Sequence, residues 1–451
     1  MRRKISFSTT QIIMLSFLTV LFAGSLLLSL PISSANGKPV PYIDALFTAT
    51  TATCVTGLVT LPTATTWSVF GQIIILLLIQ MGGLGIVTVV SGFMISFHRK
   101  IGMKDRMLIQ DAFNLNTLSG IIKFIKKVFI GTFIVEGIGA ILYMTVFVPE
   151  YGVRGIWISV FNSISAFCNA GMDIISENSL CDYGMHPMVN FVTSALIILG
   201  GMGYIVWWDV IRVLKEVPKK GVKSFFYLTL HSKIALSATV IFLVAGTAAF
   251  FLFEYHNPLT MGNLSVFDKL QLSVFQSVTT RTAGFATIPQ ENLTNASAIF
   301  SLCLMFIGGS PVGTAGGIKT VTIAVLFCAA FATTKNKEEV VLFHRTIPKQ
   351  AVSKAVAVTS ISFLIMFIST LLLSLTTKAD ALTIVYETVS ATATVGLTRN
   401  LTPTLNLWAK LIIIVTMYLG RVGPISLVIA FNTKKDNKNV IKNPTEEISI
   451  G

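Results

Sequence analysis

Apolar runs separated by short polar segments extend along most of the chain. The runs are about 20 residues long, enough for a helix to cross roughly 30 Å of hydrocarbon. A soluble core does not need apolar runs of this length, so the pattern predicts an all-α integral membrane protein. Eight transmembrane helices are expected, at residues 10–31, 67–96, 122–148, 188–211, 230–253, 297–331, 352–376 and 405–431.

A Ser/Thr-rich segment with a glycine lies between the two spans of each successive pair. The glycines are Gly57, Gly171, Gly284 and Gly396, at intervals of 114, 113 and 112 residues. So regular a period predicts one structural unit used four times around a common axis. We expect each unit to contain a span, a short pore helix, the glycine segment and a second span.

The unit boundaries follow from these positions. We expect repeat A at 1–98, repeat B with its preceding cytoplasmic loop at 99–223, repeat C with an intramembrane loop at 224–340, repeat D at 341–433, and a cytoplasmic tail at 434–451. Two crossings and one re-entrant excursion leave every unit facing the same way. The repeats are therefore parallel, unlike the inverted repeats of many secondary transporters. This parity predicts pseudo-fourfold symmetry around one central pore.

The pore helices carry acidic residues where they begin. Asp44, Asp268 and Asp380 lie near three of their N-termini, where the helix dipole favours a carboxylate. The C-termini then direct partial negative charge towards the centre. Cations gain from such a field and anions lose.

The glycine segments are interpreted as a selectivity filter. A filter presents backbone carbonyls to the ion, and glycine lets the backbone approach the axis with φ above zero. The alternative is that these are ordinary helix-packing glycines, which the nearly constant period disfavours. The predicted filter residues are Val55, Thr56, Gly57, Asn169, Ala170, Gly171, Thr282, Ala283, Gly284, Thr394, Val395 and Gly396.

A second glycine register lies in the second span of each unit. It begins at Gly82, Gly200, Gly308 and Gly420, and in three units it is explained by close helix contact. In the third unit glycines and a proline predict a flexible loop beneath the filter. A phosphate-binding loop is disfavoured, because Ile318 stands where that motif needs glycine. The residues of this loop are Gly308, Gly309, Ser310, Pro311, Val312, Gly313, Thr314, Ala315, Gly316 and Gly317, and Arg421 is expected at the same depth in the fourth unit.

Two arginines fall at membrane depth. Arg421 replaces a glycine that the other three units hold, and buried charge normally faces a cavity or a partner. It is interpreted as an electrostatic barrier in the cation path, or as a brace on a carbonyl or acid, and both roles are compatible. Arg281 precedes the third filter segment and is expected to turn outward, with Glu387 or Glu136 as candidate partners by depth.

The charge distribution decides between membrane and nucleic-acid functions. The formal net charge is +14, and most of the 34 Lys and Arg residues fall on one side of the eight predicted spans. The positive-inside bias makes that side cytoplasmic and places both termini in the cytoplasm. No basic stripe is interleaved with exposed aromatics, so nucleic-acid binding is disfavoured. The scattered histidines and the lack of a convergent catalytic set disfavour an enzyme.

With these motifs assembled, the chain resembles the Trk/Ktr/HKT superfamily of potassium transporters, and within it the membrane subunit of bacterial Ktr systems (KtrB type). The resemblance rests on the four filter glycines, the loop from Gly308 to Lys319, and Arg421. It implies a bacterial cell membrane location, gating by the loop and Arg421, and a homodimer with one pore per chain. Gly57 in the first filter segment implies potassium rather than sodium.

The resemblance also implies a separate cytoplasmic partner. Members assemble with a ring of KtrA-like regulatory subunits that bind ATP or ADP, and sodium stimulation is possible. This chain shows no dinucleotide fingerprint after a predicted strand, so we expect the nucleotide on the partner and no covalent cofactor here. The sequence therefore predicts potassium uptake, with K⁺ held at the filter residues. The alternative is an ion-coupled secondary transporter of a small solute, with Arg421 as a counter-ion.

Overall fold

A computed structural model describes residues 8–96, 102–112 and 120–423. The predictions made for the N-terminal residues, for the cytoplasmic tail at 434–451 and for the end of the eighth span therefore lie outside the described residues. The described part of the chain is mainly helical, with one hairpin of two short strands.

The first quarter begins with a membrane-length helix. Ser8 starts it with a capping box, in which its hydroxyl accepts from the Gln11 N–H and the Gln11 side chain accepts from the Ser8 N–H. A short 3-10 turn, Pro31–Ser33, leads on to the pore helix. The helices are α1 Thr9–Leu28, α2 Tyr42–Cys54, α3 Thr63–Thr66, α4 Val69–Leu84, α5 Ile86–Ser96 and α6 Met103–Ala112.

The second and third quarters repeat this order of long helix, pore helix and broken second span. The second contains α7 Ile121–Tyr151, α8 Val153–Cys168, α9 Pro187–Gly201 and α10 Tyr204–Lys220, with 3-10 turns at Cys181–Tyr183 and Gly221–Tyr227. The third contains α11 Leu230–Glu254, α12 Val266–Thr279, α13 Asn295–Phe306 and α14 Thr320–Thr334, with a 3-10 turn at Gln290–Asn292.

The last quarter follows a small antiparallel hairpin, in which β1 Val341–Leu342 pairs with β2 Arg345–Thr346. Its helices are α15 Lys349–Thr376, α16 Ala381–Ala393 and α17 Leu407–Val422, with a 3-10 turn at Thr402–Thr404. As expected, acids begin three pore helices: Asp44 and Asp268 lie in the first turns of α2 and α12, and Asp380 caps α16 by accepting from the Thr383 N–H at 3.1 Å.

Four described helices are long and apolar enough to cross a membrane: α1, α7, α11 and α15. The number rises to six if each of two bent pairs counts as one span. The sequence predicted single spans at 67–96 and 188–211, and a span at 297–331 that breaks at a glycine-rich loop. The first is bent by 96° between α4 and α5, the second by 100° between α9 and α10, and the third is interrupted by the loop between α13 and α14.

The bends have a common backbone cause. Gly85 has φ 83° and ψ 131°, Gly203 has φ 86° and ψ 137°, and Gly423, at the end of α17, has φ 89° and ψ 136°. Residues with a Cβ rarely adopt this conformation, so Gly85 and Gly203 allow the chain to change direction between α4 and α5 and between α9 and α10. Hydrophobicity does not show a change in chain direction, and the sequence therefore suggested unbroken spans at 67–96 and 188–211.

The pore helices pack through an aromatic residue at a matching position. Phe47, Phe161, Phe275 and Tyr386 are each at most 1% exposed, and each lies nine or ten residues before its filter glycine. Polar contacts join the quarters: Trp157 Nε1 donates to Gln72 Oε1 at 2.8 Å, and the Tyr386 hydroxyl donates to Gln290 Oε1 at 3.0 Å.

Candidate functional site

Three pore helices end in the same way. α2, α8 and α16 are each followed directly by a residue in the left-handed region: Val55 at φ 56°, Asn169 at φ 59° and Thr394 at φ 50°. Such values are uncommon for residues with a side chain. The turn stops the helix three residues before the filter glycine and releases the chain into the glycine segment.

The third segment reaches the same geometry by a different route. α12 ends at Thr279, five residues before Gly284, yet Thr282 has φ 65° at the position that matches Val55, Asn169 and Thr394. The sequence between Phe275 and Gly284 is one residue shorter than in the other units. The shorter spacing therefore changes where the helix ends and leaves the left-handed turn in place.

A hydroxyl from each pore helix braces the segment that follows. Thr51 Oγ1 accepts from the Gly57 N–H at 2.9 Å, and Ser390 Oγ accepts from the Gly396 N–H at 3.0 Å. In the second segment Ser165 Oγ accepts from the Met172 N–H at 3.2 Å. In the third, Thr279 Oγ1 donates to the Phe285 carbonyl at 2.6 Å. These bonds hold the segments without using the carbonyls just before the glycines.

The four segments form a closed ring. A methyl group added at Gly57 would lie 2.6 Å from the Ala170 carbonyl oxygen, and one at Gly171 would lie 2.6 Å from that of Ala283. The same construction places Gly284 against the Val395 carbonyl and Gly396 against the Thr56 carbonyl. Each glycine thus faces the carbonyl of the next segment in chain order, and the fourth returns to the first.

The structure brings together all of the residues predicted for the filter. Every one is buried: Val55, Thr56, Gly57, Asn169, Ala170, Gly171, Thr282, Ala283, Gly284, Thr394, Val395 and Gly396. Any side chain at a ring glycine would collide with a neighbouring backbone. A residue with a Cβ at any of the four places would therefore force the neighbouring backbone to shift.

One side of the ring opens into a cavity of about 310 Å³. All four ring glycines line it, together with the carboxylates of Asp173, Glu177 and Glu291, and none of its described lining residues is basic. Burial raises the pKa of Asp173 to about 6, and hydrogen bonds from the Ile175 and Ser176 N–H groups and the Ser179 hydroxyl oppose the rise. The sequence analysis missed these acids, although Asp173 follows Gly171 by two residues.

The predicted gate segment forms a loop between α13 and α14. Its neck is closed by a parallel bridge between Ile307 and Ile318, in which the Gly308 N–H donates to the Ile318 carbonyl at 2.8 Å. The loop also docks on the break between α9 and α10. The Ser310 N–H donates to the Gly201 carbonyl at 2.8 Å, and the Tyr204 N–H donates to the Val312 carbonyl at 3.0 Å.

The tip of the loop contacts the chain where α8 and α16 lead into the second and fourth filter segments. Thr314 Oγ1 donates to the Phe167 carbonyl at 3.0 Å, and Gly316 lies against Thr394 Oγ1. The predicted gate residues Gly308, Gly309, Ser310, Pro311, Val312, Gly313, Thr314, Ala315, Gly316 and Gly317 therefore belong to one hydrogen-bonded loop beside the second and fourth segments.

Arg421 joins this loop to two other units. Its Nη1 donates to the Thr314 carbonyl at 2.8 Å, and its Nη2 donates to the Gly82 carbonyl at 2.6 Å. The carbonyl partner weighed from the sequence is therefore present. A single side chain of the fourth unit connects the first unit with the loop of the third.

Arg281 pairs with neither acid proposed from the sequence. Its Nε is buried without a hydrogen-bond partner, beside a small cavity lined by Met202. Glu136 accepts from Gln80 Nε2 at 3.3 Å, whereas Glu387 accepts from the hydroxyls of Thr398 and Thr402. Glu136 and Glu387 therefore accept hydrogen bonds from other side chains and not from Arg281.

The second glycine register permits close packing, as the sequence suggested. Gly82, Gly200 and Gly420 each lie against the carbonyl of the penultimate residue of a pore helix, namely Thr53, Phe167 and Thr392. A side chain at these positions would push the second span away from the filter. Gly85 and Gly203, which follow in the same register, lie at the two bends and are called the hinge glycines. The sequence analysis had grouped them with the packing positions.

Comparison with known proteins identifies relatives of this chain. The family model for TrkH, described as a cation transport protein, matches residues 5–442. The chain is 40% identical over 448 residues to the Ktr system potassium uptake protein B of Bacillus subtilis, covering 99% of this chain and 98% of that protein. It is 39% identical to the potassium/sodium uptake protein NtpJ of Enterococcus hirae, covering 96% and 95%.

A solved structure shares the fold. The crystal structure of the potassium transporter TrkH from Vibrio parahaemolyticus superposes with a TM-score of 0.76 at 18% identity, covering 96% of this chain and 86% of that one. The family resemblance drawn from the glycine segments, the loop and Arg421 is confirmed. The chain belongs to the TrkH family of cation transport proteins and is a multi-pass membrane protein.

Proposed function

We propose that this protein takes up potassium ions across the bacterial cell membrane through a filter of backbone carbonyls. The observation that carries the proposal is the closed ring in which Gly57, Gly171, Gly284 and Gly396 each face the carbonyl of the next segment. Such carbonyls replace the hydration shell of a cation. The names of the relatives from Bacillus subtilis and Enterococcus hirae, which specify potassium uptake and potassium/sodium uptake, support the choice of ion.

The ring is proposed to sit on the axis of four parallel repeats with eight membrane crossings. Each quarter contains a long helix, a pore helix and a second span, and Gly85, Gly203 and Gly423 share one backbone conformation. Both termini are proposed to lie in the cytoplasm, since the basic residues gather on that side of the predicted spans. The acid-lined cavity would then face outward and concentrate cations.

The loop between α13 and α14, together with Arg421, is proposed to close the path below the filter. Its tip contacts the chain where α8 and α16 lead into two filter segments, and the Arg421 guanidinium holds the Thr314 carbonyl at 2.8 Å. A positive charge on a cation path raises the barrier to permeation. Conduction would require the loop and Arg421 to move apart.

Regulation and assembly are proposed from the family resemblance. We expect a homodimer with one pore per chain, on a separate cytoplasmic ring of subunits that binds ATP or ADP. The nucleotide would act by shifting the loop, and sodium stimulation would be an additional input.

Two assays on the same variants test the proposal. The first measures growth at low potassium in cells that lack other potassium uptake systems. The second measures K⁺ and Na⁺ flux into proteoliposomes without any other solute. We compare the wild type with Gly57→Ser, and use Gly137→Ser as a control because a Cβ at Gly137 meets no atom within 4 Å.

We expect the wild type and Gly137→Ser to restore growth and to pass K⁺ in preference to Na⁺. Gly57→Ser should lose that preference, because its side chain would collide with the Ala170 carbonyl. Equal selectivity in all three proteins would remove the first segment from the path. K⁺ flux that requires a second solute would favour the coupled secondary transporter.

A further inference from the structure

Arg281 is a buried cation without a counter-charge. The side chain is only 8% exposed, and the residue directly precedes the third filter segment. Its Nε has no hydrogen-bond partner among the described residues, and no acidic side chain of the described chain forms an ion pair with it. A charge at membrane depth is costly unless it faces a partner or a polar cavity. The guanidinium therefore requires a partner other than a carboxylate of the described chain.

Arg281 lines a cavity of about 20 Å³ between the second and third units. One water molecule needs roughly 10–15 Å³, so the cavity has room for one water molecule or one monatomic ion. It is too small for a polyatomic ligand such as sulfate. Its walls come from α9, α11 and α12 and from Gly309.

The hydroxyl of Thr239 is a second unpartnered polar group at the same cavity. Thr239 lies on α11 and is 6% exposed, and its Oγ1 has no hydrogen-bond partner within the described residues. Threonine hydroxyls within helices often donate to the carbonyl four residues earlier, as Thr416 Oγ1 does to the Ile412 carbonyl at 2.8 Å. Because Thr239 makes no such bond, its hydroxyl is available to a bound ligand.

The groups around the cavity suit an anion. The Nε–H of Arg281 can only donate, and the Thr239 hydroxyl can donate as well. Among residues 8–96, 102–112 and 120–423, no carboxylate lines the cavity. A water molecule would satisfy these donors but would leave the charge of Arg281 uncompensated, whereas an anion does both.

The rest of the lining narrows the choice of anion. Five apolar side chains line the cavity: Ile197, Ile198, Met202, Leu243 and Val278. An ion that enters apolar surroundings loses its hydration shell, and this costs more for a strongly hydrated anion. The size and the lining therefore favour a monatomic, weakly hydrated halide, of which chloride is the ordinary example.

We propose that this cavity is a halide site, in which one chloride ion accepts hydrogen bonds from Arg281 Nε and Thr239 Oγ1 and neutralises the guanidinium. An uncompensated positive charge next to Thr282 would repel K⁺ from the ring, and the bound anion offsets this repulsion. The effect on K⁺ rests on the proposed function of the ring. The binding of the anion does not.

Crystals of the full-length protein grown in sodium bromide test the site directly, because bromide replaces chloride and gives an anomalous signal. We expect one peak within hydrogen-bond distance of Arg281 Nε and Thr239 Oγ1 in the wild type. The peak should be absent in Arg281→Gln and weaker in Thr239→Val, which removes the hydroxyl and keeps the size of the side chain. Arg345→Gln is the matched control, because Arg345 is an exposed arginine on β2, and it should keep the peak.

Thermal unfolding of the purified protein distinguishes a resident ion from binding at crystal concentrations only. At equal ionic strength, the wild type should unfold at a temperature about 2 °C or more higher in sodium chloride than in sodium gluconate, because a ligand that binds only the folded state stabilises it. Arg345→Gln should show the same difference, and Arg281→Gln should show none. If Arg281→Gln does not fold, Thr239→Val should show a smaller difference than the wild type.

K⁺ uptake into proteoliposomes measures the consequence for transport. A protonophore is included so that charge balance does not depend on the anion. Replacing chloride with gluconate on both sides should raise the K⁺ concentration at half-maximal uptake by about threefold or more in the wild type. The replacement should have no effect in Arg281→Gln, because that variant has no positive charge for the anion to neutralise.

The inference is overturned if the wild-type crystals contain only water in the cavity, or if chloride and gluconate give the same unfolding temperature. A K⁺ affinity that does not depend on chloride, in a protein that binds bromide at Arg281, would overturn the electrostatic role of the ion. A wild-type protein that binds bromide at Arg281 but passes no K⁺ would defeat the proposed function and leave the halide site in place.

Discussion

Gly396 lies against the carbonyl oxygen of Thr56, so the last filter segment closes onto the first although 340 residues separate them along the chain. This contact distinguishes a ring from a row of four similar turns. It also means that each ring glycine controls the position of a carbonyl in a different segment. Substitution of one glycine should therefore affect ion coordination beyond its own segment.

Gly396→Ala tests this relationship from the side opposite Gly57. The added methyl group would displace the Thr56 carbonyl, and we expect the K⁺ concentration at half-maximal uptake to rise by about tenfold or more, since each 1.4 kcal/mol of lost binding is tenfold. Uptake kinetics in cells and thermal unfolding of the purified protein provide the measurements. Gly137→Ala is the control, because its Cβ would enter open space. Wild-type kinetics in Gly396→Ala would show that the Thr56 carbonyl does not bind the ion.

Substitutions at the two hinge glycines, Gly85 and Gly203, distinguish the cost of backbone strain from the cost of steric collision. At Gly85 the nearest atom to an added Cβ is Thr88 Oγ1 at 3.6 Å, whereas at Gly203 the Cβ would collide with the Pro311 carbonyl. Gly85→Ala should therefore cost only conformational strain, about 1–3 kcal/mol. Gly203→Ala should cost more and should also disturb the loop.

Chemical denaturation and K⁺ flux distinguish the two hinge variants. We expect Gly85→Ala to lower the free energy of unfolding with little change in flux, and Gly203→Ala to change both. If both variants lose the same free energy of unfolding and change flux equally, the collision of the Gly203→Ala side chain with the Pro311 carbonyl adds nothing to the backbone strain. Gly137→Ala again supplies a helical glycine without strain or collision.

The sequence was sufficient to locate the ring and insufficient to trace the contacts that hold it. Regular spacing identified Gly57 and its three counterparts, because a repeated structural unit gives a periodic sequence pattern. The bend at Gly85 gives no pattern of this kind, since the apolar run continues through it. The carbonyl partners of Arg421 were also hidden, because every residue has a carbonyl and composition cannot show which one is in reach.

The ion pair between Asp44 and Lys410 is another contact that spacing could not reveal. Asp44 lies in the first turn of α2, and the Lys410 ammonium on α17 binds its Oδ1. The two side chains are only 10% and 15% exposed, so removing one partner leaves a poorly solvated charge. We expect Asp44→Ala to destabilise the protein by about 3 kcal/mol.

A double-mutant cycle in chemical denaturation measures this pair. Lys410→Met alone should destabilise to a similar extent, whereas Asp44→Leu with Lys410→Met should recover much of the loss, because no charge remains unpaired. Additive losses in the double variant would show that the two side chains contribute independently. Lys378→Met, which changes an exposed lysine before α16, serves as the control.

The mouth of the ring should respond to pH through Asp173. Burial raises the pKa of this carboxyl to about 6, and the carboxylates of Glu177 and Glu291 line the same cavity, with Asp182 close enough to add to the rise. Asp173 is therefore ionised above pH 6 and neutral below it. A cation entering the cavity meets one negative charge fewer in acid.

We expect the K⁺ concentration at half-maximal uptake to increase as the pH on the cavity side falls from 7 to 5. Asp173→Asn should show the acidic value at both pH values, because its side chain carries no charge. Glu177→Gln is the matched control: it removes a carboxylate from the same cavity and should retain the transition near pH 6. A transition near pH 6 that persists in Asp173→Asn would assign the titration to another group. Its absence from the wild type would mean that the Asp173 charge does not influence entry into the ring.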